Sequence, residues 1–184
     1  MERENVIDKT MTFTAANLWG GLFAIAFTAI FFWLYFNLWG EVALPSTISW
    51  PQITLFILAL LVSIIIHELL HGLGYALGGA AWSQIQFGVR KLSPYAHCSV
   101  PIKRNSYRLA VALPGIILGL LPALVGIVGG SISLLLFGTF MTVSAAGDGL
   151  VLWLLRDAPK DALIFDHPTK VGCELHLNLA SDKQ

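Results

Sequence analysis

The sequence has little charge for its length. Of its 184 residues, 11 are Lys or Arg and 11 are Asp or Glu, so charged residues form 12% of the chain and the net charge is +0. Without an excess of basic residues the protein has no surface suited to a phosphate backbone, which excludes nucleic-acid partners. The lack of charge also excludes a disordered chain or a coiled coil, and two cysteines are too few for a disulfide scaffold.

Hydrophobic residues take the place of the missing charges. They form 56% of the chain, and the mean hydropathy is +0.73. Soluble domains are about 25% charged on average, roughly twice the fraction found here. The composition therefore indicates an integral membrane protein with the lipid bilayer as its main surroundings.

Long uncharged runs predict where the chain crosses the membrane. No charged residue lies between Thr10 and Gly40, and a helix of that length spans about 30 Å of hydrocarbon at a rise of about 1.5 Å per residue. A polar break follows, then a second run, and then a third that is too long for one crossing and is divided near Gly130. We predict four transmembrane helices at about residues 17–39, 51–79, 109–128 and 131–155.

These helices define the expected fold class. We predict an all-α membrane protein with a single integral membrane domain over residues 1–184. Its core is a bundle of four transmembrane helices, with a short β-hairpin between helices 2 and 3. Residues 156–184 form a polar tail on the cytoplasmic side.

The basic residues predict the orientation. All of them fall in the N-terminal segment, the loop between helices 2 and 3, and the tail, whereas the other two connections contain none. Four crossings place these three segments on one side, which the positive-inside rule makes the cytoplasm. We therefore expect both termini in the cytoplasm, where Cys98 and Cys173 would be free thiols.

A polar motif interrupts the second hydrophobic run. His67-Glu68-Leu69-Leu70-His71 has the pattern H-E-x-x-H. A spacing of four places both imidazoles on one helix face, so both can bind one metal ion, and neutral imidazole suits Zn²⁺. Glu68 points away from that face and fits a general base that takes a proton from water activated by the metal. The alternative is a chance match, or polar residues satisfied within the bundle, although ionisable groups inside a membrane are costly.

A third ligand is needed, because a catalytic zinc usually has three protein ligands and one open position. Asp148 is the candidate, since it is the only charged residue between Leu109 and Leu155. Helices 2 and 4 run in the same direction in this topology, and Asp148 lies at about the depth of His67, nearer the cytoplasm. The alternative is a protonated aspartate that bonds within the bundle or lies at a helix break.

Small residues accompany both parts of the motif. Gly74 and Gly78 extend the histidine stripe of helix 2, and Gly147 and Gly149 flank Asp148. Small residues allow close approach of membrane helices, so we expect helices 2 and 4 to meet here. The flanking glycines favour local unwinding at Asp148. The alternative is that they serve packing only.

The pattern resembles the site-2 protease family of intramembrane zinc metalloproteases. The match is His67-Glu68-x-x-His71 on one membrane helix and Asp148-Gly149 on a later one, where that family has its third zinc ligand. The resemblance implies a zinc-dependent peptidase.

The segment between these helices is also similar. Ile85, Phe87 and Val89 alternate as in a strand, and AHCSVPIKR can pair with them as a hairpin. The resemblance implies that such strands hold the substrate as an extended strand. Pro114 opens helix 3 as in that family, but no asparagine follows it and the chain has no PDZ-like domain.

A closer likeness is to short bacterial membrane proteins described as "putative zincin peptidase". These share HELLHG, PYAHC-like and DHPTK-like segments, the last at residues 166–170 here, and the resemblance covers about residues 55–172. The resemblance implies that the protein lies in a bacterial plasma membrane. His97 and Cys98, in the PYAHC segment, are interpreted as a loop pair without a metal role; an inhibitory ligand or a substrate contact is the alternative.

We therefore predict an intramembrane zinc peptidase that cleaves a membrane-protein or peptide substrate. Zn²⁺ is held by His67, His71 and Asp148, and Glu68 is the catalytic base. One rival is a zinc-binding membrane scaffold without turnover. A second rival is a small ion- or metal-handling protein, against which the few crossings and the lack of a duplicated half count.

Overall fold

The apolar runs of the sequence form helices, because only a helix satisfies the backbone hydrogen bonds of such a run within itself. The computed structural model describes residues 6–40, 47–90, 93–167 and 171–177. In chain order the helices are α1 (Phe13–Trp39), α2 (Trp50–Leu77), α3 (Arg104–Pro114), α4 (Leu121–Gly129), α5 (Ile132–Ser144) and α6 (Ala146–Leu154). The strands are β1 (Val6–Met11), β2 (Ile85–Arg90), β3 (Ser93–Cys98), β4 (Ile102–Lys103), β5 (Leu163–Asp166) and β6 (Val171–His176).

The first two helices are long and unbroken. α1 begins after Thr12, whose hydroxyl accepts a hydrogen bond from the Ala15 amide at 3.3 Å. α2 begins with Pro51 in its first turn, where a missing N–H costs nothing. Both match the predicted helices within a few residues at each end. Each is long and apolar enough to cross a membrane.

The third hydrophobic run is a single helix with a widened middle. α3, a π-helical segment (Gly115–Leu120) and α4 together form a span of 26 residues, Arg104–Gly129. Pro114 precedes the wide turns, and its lack of an N–H leaves the Ala110 carbonyl without its helical donor. The helix begins five residues before the predicted start at 109, since Tyr107 buries its ring in the first turns and extends the apolar face.

The fourth run is bent. α5 and α6 meet at Ala145 with an angle of 47° between them. The described residues therefore contain three helices able to cross a membrane, and a fourth crossing if α5 and α6 form one span. The break lies at Ala145, so the predicted unwinding at Gly147 and Gly149 is wrong, because both glycines lie within α6.

The protein contains two β-sheets beside its helices, so the predicted all-α fold class is wrong. β2 and β3 form a hairpin between helices 2 and 3 as predicted, with Ile85 opposite Cys98. Its second strand is Ser93–Cys98 and not residues 96–104, since Ile102–Lys103 pair with β5 instead. A second, antiparallel sheet has the order β1-β6-β5-β4, in which Val6 lies opposite His176. It joins the segment before α1, the segment before α3 and the residues after α6. These three segments therefore lie at one end of the helices, and the predicted tail contains two strands of a sheet.

Glycines allow the helices to approach closely. A Cβ at Gly74 would overlap the backbone of Ala110 on α3, and one at Gly138 of α5 would overlap the backbone of Ala123 on α4. The small-residue stripe of α2 therefore packs against α3. The fourth hydrophobic run, which we expected to pack on these glycines, does meet α2 as predicted, but through His67, His71 and Asp148.

The buried core lies mainly at the sheet end. Side chains of α2, α3 and the strands form one cluster there, which includes Tyr75, Tyr107 and Cys173. A smaller cluster at the other end joins Tyr35 of α1 to α4 and α5, and the Tyr35 hydroxyl donates to the Gly130 carbonyl at 3.0 Å. Large apolar side chains point outward along the helices, as expected of surfaces that face lipid.

Candidate metal centre

Two histidines of α2 lie side by side within the helix bundle. His67 and His71 are one turn apart, and their ring centroids lie 4.9 Å from each other. Their side chains are only 12% and 10% exposed. The two histidines therefore lie on one face of α2, as their spacing predicts. Both Nε2 atoms point toward the same neighbouring side chain.

The neighbouring side chain is the carboxylate of Asp148. The His67 Nε2 lies 3.2 Å from Asp148 Oδ2, and the His71 Nε2 lies 3.4 Å from Oδ1. Asp148 lies in the first turn of α6, directly after the bend at Ala145, and the bend aims this turn at α2. The structure thus brings together the three residues that the sequence predicts as ligands.

A backbone bond fixes the orientation of His71. Its Nδ1 lies 3.0 Å from the carbonyl oxygen of Ala110 on α3. A carbonyl only accepts, so Nδ1 carries the proton and Nε2 keeps the lone pair that binds a metal. Ala110 is available because Pro114, four residues later, has no N–H to donate. The sequence pattern predicts an opening or a kink of helix 3 at Pro114, and the i to i+4 rule also identifies the carbonyl that this proline frees.

The donor set fits a metal ion. One ligand atom from each of His67, His71 and Asp148 lies within 4.8 Å of the other two. Asp148 Oδ2 is buried, and apart from the His67 Nε2 at 3.2 Å it has no hydrogen-bond partner among the described residues, which leaves it free to bind a cation. Two neutral imidazoles and one carboxylate are a ligand set that catalytic zinc uses. The residues present therefore fit Zn²⁺.

Glu68 lies beside this group on a different face of α2. Its side chain is half-buried and interacts electrostatically with both histidines and Asp148. The backbone amide of Ala96 on β3 is directed at its carboxylate. The hairpin thus contacts the acid that the motif predicts as the base.

The remaining histidines lie apart from the three ligand residues. The His97 Nδ1 lies 3.5 Å from Asp166 Oδ2, and this hydrogen bond holds the pKa of His97 above its ordinary value. His167 and His176 both lie near Glu174, at 3.9 and 3.8 Å. Cys98 is buried as a free thiol in the core cluster. Among the described residues, the group of His67, His71 and Asp148 is the one cluster of three or more potential ligands.

The family match agrees with this geometry. Residues 60–163, more than half of the 184-residue chain, match a family described as "Putative zincin peptidase". The chain belongs to this family. No curated protein and no solved structure matches it. The predicted membership among zincin peptidases is confirmed, whereas the finer likeness to site-2 proteases stays a prediction.

The matched segment of this zincin-family protein contains the whole candidate centre. It runs from the middle of α2 to the first residue of β5 and includes the H-E-x-x-H motif, the hairpin and Asp148. β1 and β6 lie outside it, and so does Asp166, which the sequence singled out only as part of the DHPTK segment.

Proposed function

We propose that the protein is a zinc-dependent peptidase that hydrolyses a membrane-associated polypeptide. The observation on which the proposal depends is the meeting of His67, His71 and Asp148 beside a half-buried glutamate. Membership in the zincin peptidase family supports the reaction class. The H-E-x-x-H pattern supports the assignment of each residue to a role.

His67, His71 and Asp148 would hold the ion through two Nε2 atoms and one carboxylate oxygen. Bound zinc supplies Lewis acidity, which polarises a peptide carbonyl and makes water a better nucleophile near neutral pH. The bond from His71 Nδ1 to Ala110 keeps that imidazole in the tautomer that binds metal. Three protein ligands would leave the fourth position of the ion to water or substrate, as is usual for catalytic zinc.

Glu68 is proposed as the general base and acid. A carboxylate beside the ligands is suited to accept a proton from water and to pass it to the leaving amine. The Ala96 amide orients this carboxylate, so that the acid is held by the hairpin on one side and by α2 on the other. Low exposure of both histidine side chains limits competing solvent around this proton transfer.

An open cleft between the helices is consistent with a substrate that approaches the metal centre from the lipid. It has a volume of about 530 Å³ between α1, α3 and α6, and it is lined mostly by apolar side chains, together with Thr142, Asp148 and Arg156. Its walls include Phe27 of α1, Ile116 of the π-helical segment and Trp153 of α6. A polypeptide segment in this cleft would reach a metal ligand directly. A helical substrate would have to unwind there, because a helix hides its carbonyls.

The membrane placement is part of the proposal. We propose four crossings, with α5 and α6 as one bent span, since the sheet joins the segments before α1, before α3 and after α6 at one end. Lys9, Lys103 and Arg156 all lie at that end, as expected for a cytoplasmic face under the positive-inside rule. The protein would then lie in a bacterial plasma membrane with both termini in the cytoplasm.

The test compares the full-length protein with its Glu68→Gln variant. Each is loaded with zinc, reconstituted in vesicles with a set of single-span polypeptides, and assayed for new N-termini by mass spectrometry. We expect new N-termini with the wild type and none with Glu68→Gln, although both bind zinc. Glu174→Gln, a change of another partly exposed acid, serves as the matched control and should cleave like the wild type.

Equal cleavage by the wild type and Glu68→Gln would contradict the assigned role of Glu68. Zinc binding without cleavage in any vesicle would favour the scaffold without turnover. Transport of zinc across the vesicle membrane would favour the ion-handling protein.

A further inference from the structure

One carboxylate outside the metal centre receives donors from three different elements. Asp166, at the end of β5, has a side chain that is only 14% exposed. Its Oδ1 accepts from the hydroxyl of Tyr107 on α3 and lies 3.5 Å from the hydroxyl of Tyr75 on α2. Its Oδ2 accepts from the Cys98 amide of β3 at 3.0 Å and lies 3.5 Å from His97 Nδ1. A carboxylate offers about four acceptor positions, and here all of them are used.

Each element that contacts Asp166 also contacts the metal centre. Tyr75 lies one turn after His71 on α2, and Tyr107 lies three residues before Ala110, whose carbonyl holds His71. Four residues of helix span about 6 Å, so the backbone of Tyr75 lies about one turn from that of His71, on the side of the sheet. Asp166 touches none of the three ligand residues.

The third element, β3, pairs with β2 along one edge and exposes its other edge to the two carboxylates of Glu68 and Asp166. The Ser99 amide donates to the Gln84 carbonyl, so the odd-numbered amides of this segment face β2. The even-numbered amides therefore face away from β2. The Ala96 amide meets Glu68, and the Cys98 amide meets Asp166. Successive outward amides of the same strand thus face two carboxylates, and the one at Cys98 donates a hydrogen bond to Asp166.

We propose that Asp166 is a positioning residue that fixes the hairpin against α2 and thereby sets the place of Glu68. It links the first residue of the DHPTK segment to the PYAHC segment, which also contains Ala96. The effect on cleavage rests on the proposed peptidase function, whereas the effect on the hairpin does not.

The direct test is Asp166→Asn in the full-length, zinc-loaded protein. Asparagine keeps one acceptor for the tyrosines but presents an NH₂ group to the Cys98 amide, so donor would face donor. We expect faster hydrogen exchange of residues 93–98, a pKa of His97 that falls toward its ordinary value, and zinc bound as in the wild type. The cleavage rate at saturating substrate should fall by about tenfold or more, because a displaced general base loses its alignment with the reacting atoms.

Glu174→Gln is the matched control. Glu174 is an acid of the neighbouring strand β6, and it lies 3.9 Å and 3.8 Å from two histidines outside the centre. Exchange of residues 93–98, the pKa of His97 and cleavage should all stay at wild-type values in this variant. An equal change in both variants would overturn the proposal, because any lost charge in the sheet would then have the same effect.

Two further outcomes would also overturn it. One is wild-type exchange and cleavage in Asp166→Asn, and the other is loss of zinc from that variant, which would make Asp166 a support of the metal ligands. If Asp166→Asn does not fold, Tyr107→Phe removes one donor from the same carboxylate with little change in volume. It should give a smaller rise in exchange, and no rise would contradict the proposal. Absence of cleavage by the wild type would refute the peptidase function alone, since exchange and the pKa of His97 still decide the role of Asp166.

Discussion

The imidazole of His71 is bound through Nδ1 to the backbone carbonyl of Ala110 at 3.0 Å. The carbonyl is free to accept because Pro114, one helical turn later, has no N–H. A proline in α3 therefore prepares a histidine in α2 to bind a metal through its other nitrogen. This relationship joins the packing of two helices to the chemistry of the candidate centre.

Replacing Pro114 by alanine should weaken zinc binding. The new N–H would compete with His71 for the Ala110 carbonyl, and we expect zinc affinity to fall by up to about tenfold, the lower range for loss of a supporting partner. Stability without zinc should rise or stay the same, since alanine suits a helix interior better than proline. Competition with a zinc-binding dye measures the affinity.

Pro122→Ala is the control for this change. Pro122 lies near the start of α4, away from the three ligand residues, and its replacement should leave zinc affinity unaltered. Unchanged affinity in Pro114→Ala would contradict the role given to the free carbonyl.

Zinc should stabilise the protein only while Asp148 is present. At free zinc of about 100 times the dissociation constant, binding to the folded state alone adds about 2.7 kcal/mol to the free energy of unfolding. Asp148→Asn should lose most of this gain, because an amide replaces the carboxylate that faces both histidines. Thermal unfolding with and without zinc measures the difference. Asp161→Asn, at an exposed acid, should keep the full gain.

The sequence predicts those parts of the centre that depend on residues close together in the chain, and it does not predict contacts between distant segments. The spacing of His67 and His71 places both rings on one face, and the single acid of the fourth hydrophobic run is identified as their partner. Both predictions use local periodicity and the cost of charge in lipid. Nothing local indicates that β1 pairs with β6, since these short strands come from opposite ends of the chain.

Helix contacts were predicted less well, for a related reason. Gly74 was correctly identified as a site of close approach, but the partner is α3 and the expected partner was the fourth hydrophobic run. A small residue indicates that some backbone comes near and does not say which one. The glycines beside Asp148 likewise predict local unwinding at that residue, whereas the helix breaks at Ala145, two residues before Gly147.

Gly74→Ala should separate α2 from α3. The added methyl group would overlap the Ala110 backbone, and overpacking of this kind costs about 1–3 kcal/mol of stability. The His71 to Ala110 bond should lengthen, so zinc affinity should fall together with stability. Denaturant or thermal unfolding and zinc titration check both effects.

Gly21→Ala is the matched control, because a Cβ at that glycine of α1 meets no atom within 4 Å. It should be neutral or slightly stabilising, since alanine is favoured over glycine in a helix. Equal stability of both variants would contradict the close approach of α2 and α3.

Both cysteines should resist alkylation in the folded protein. Cys98 and Cys173 are 3% and 0% exposed. Burial raises the pKa of the Cys98 thiol and raises that of Cys173 to about 12. A thiol with that pKa is about one part in ten thousand thiolate at pH 8, and the thiolate is the reactive form. Maleimide labelling followed by mass spectrometry should show no modification until the protein is denatured, and rapid labelling of Cys173 would contradict its burial.

The most direct test of the central claim is the zinc K-edge absorption spectrum of the purified, zinc-loaded protein. We predict two imidazole nitrogens at about 2.0–2.1 Å and carboxylate or water oxygen at about 2.0–2.2 Å, with one imidazole fewer in His71→Ala. A sulfur ligand at about 2.3 Å, or a spectrum unchanged in His71→Ala, would show that the metal binds elsewhere and would contradict the account.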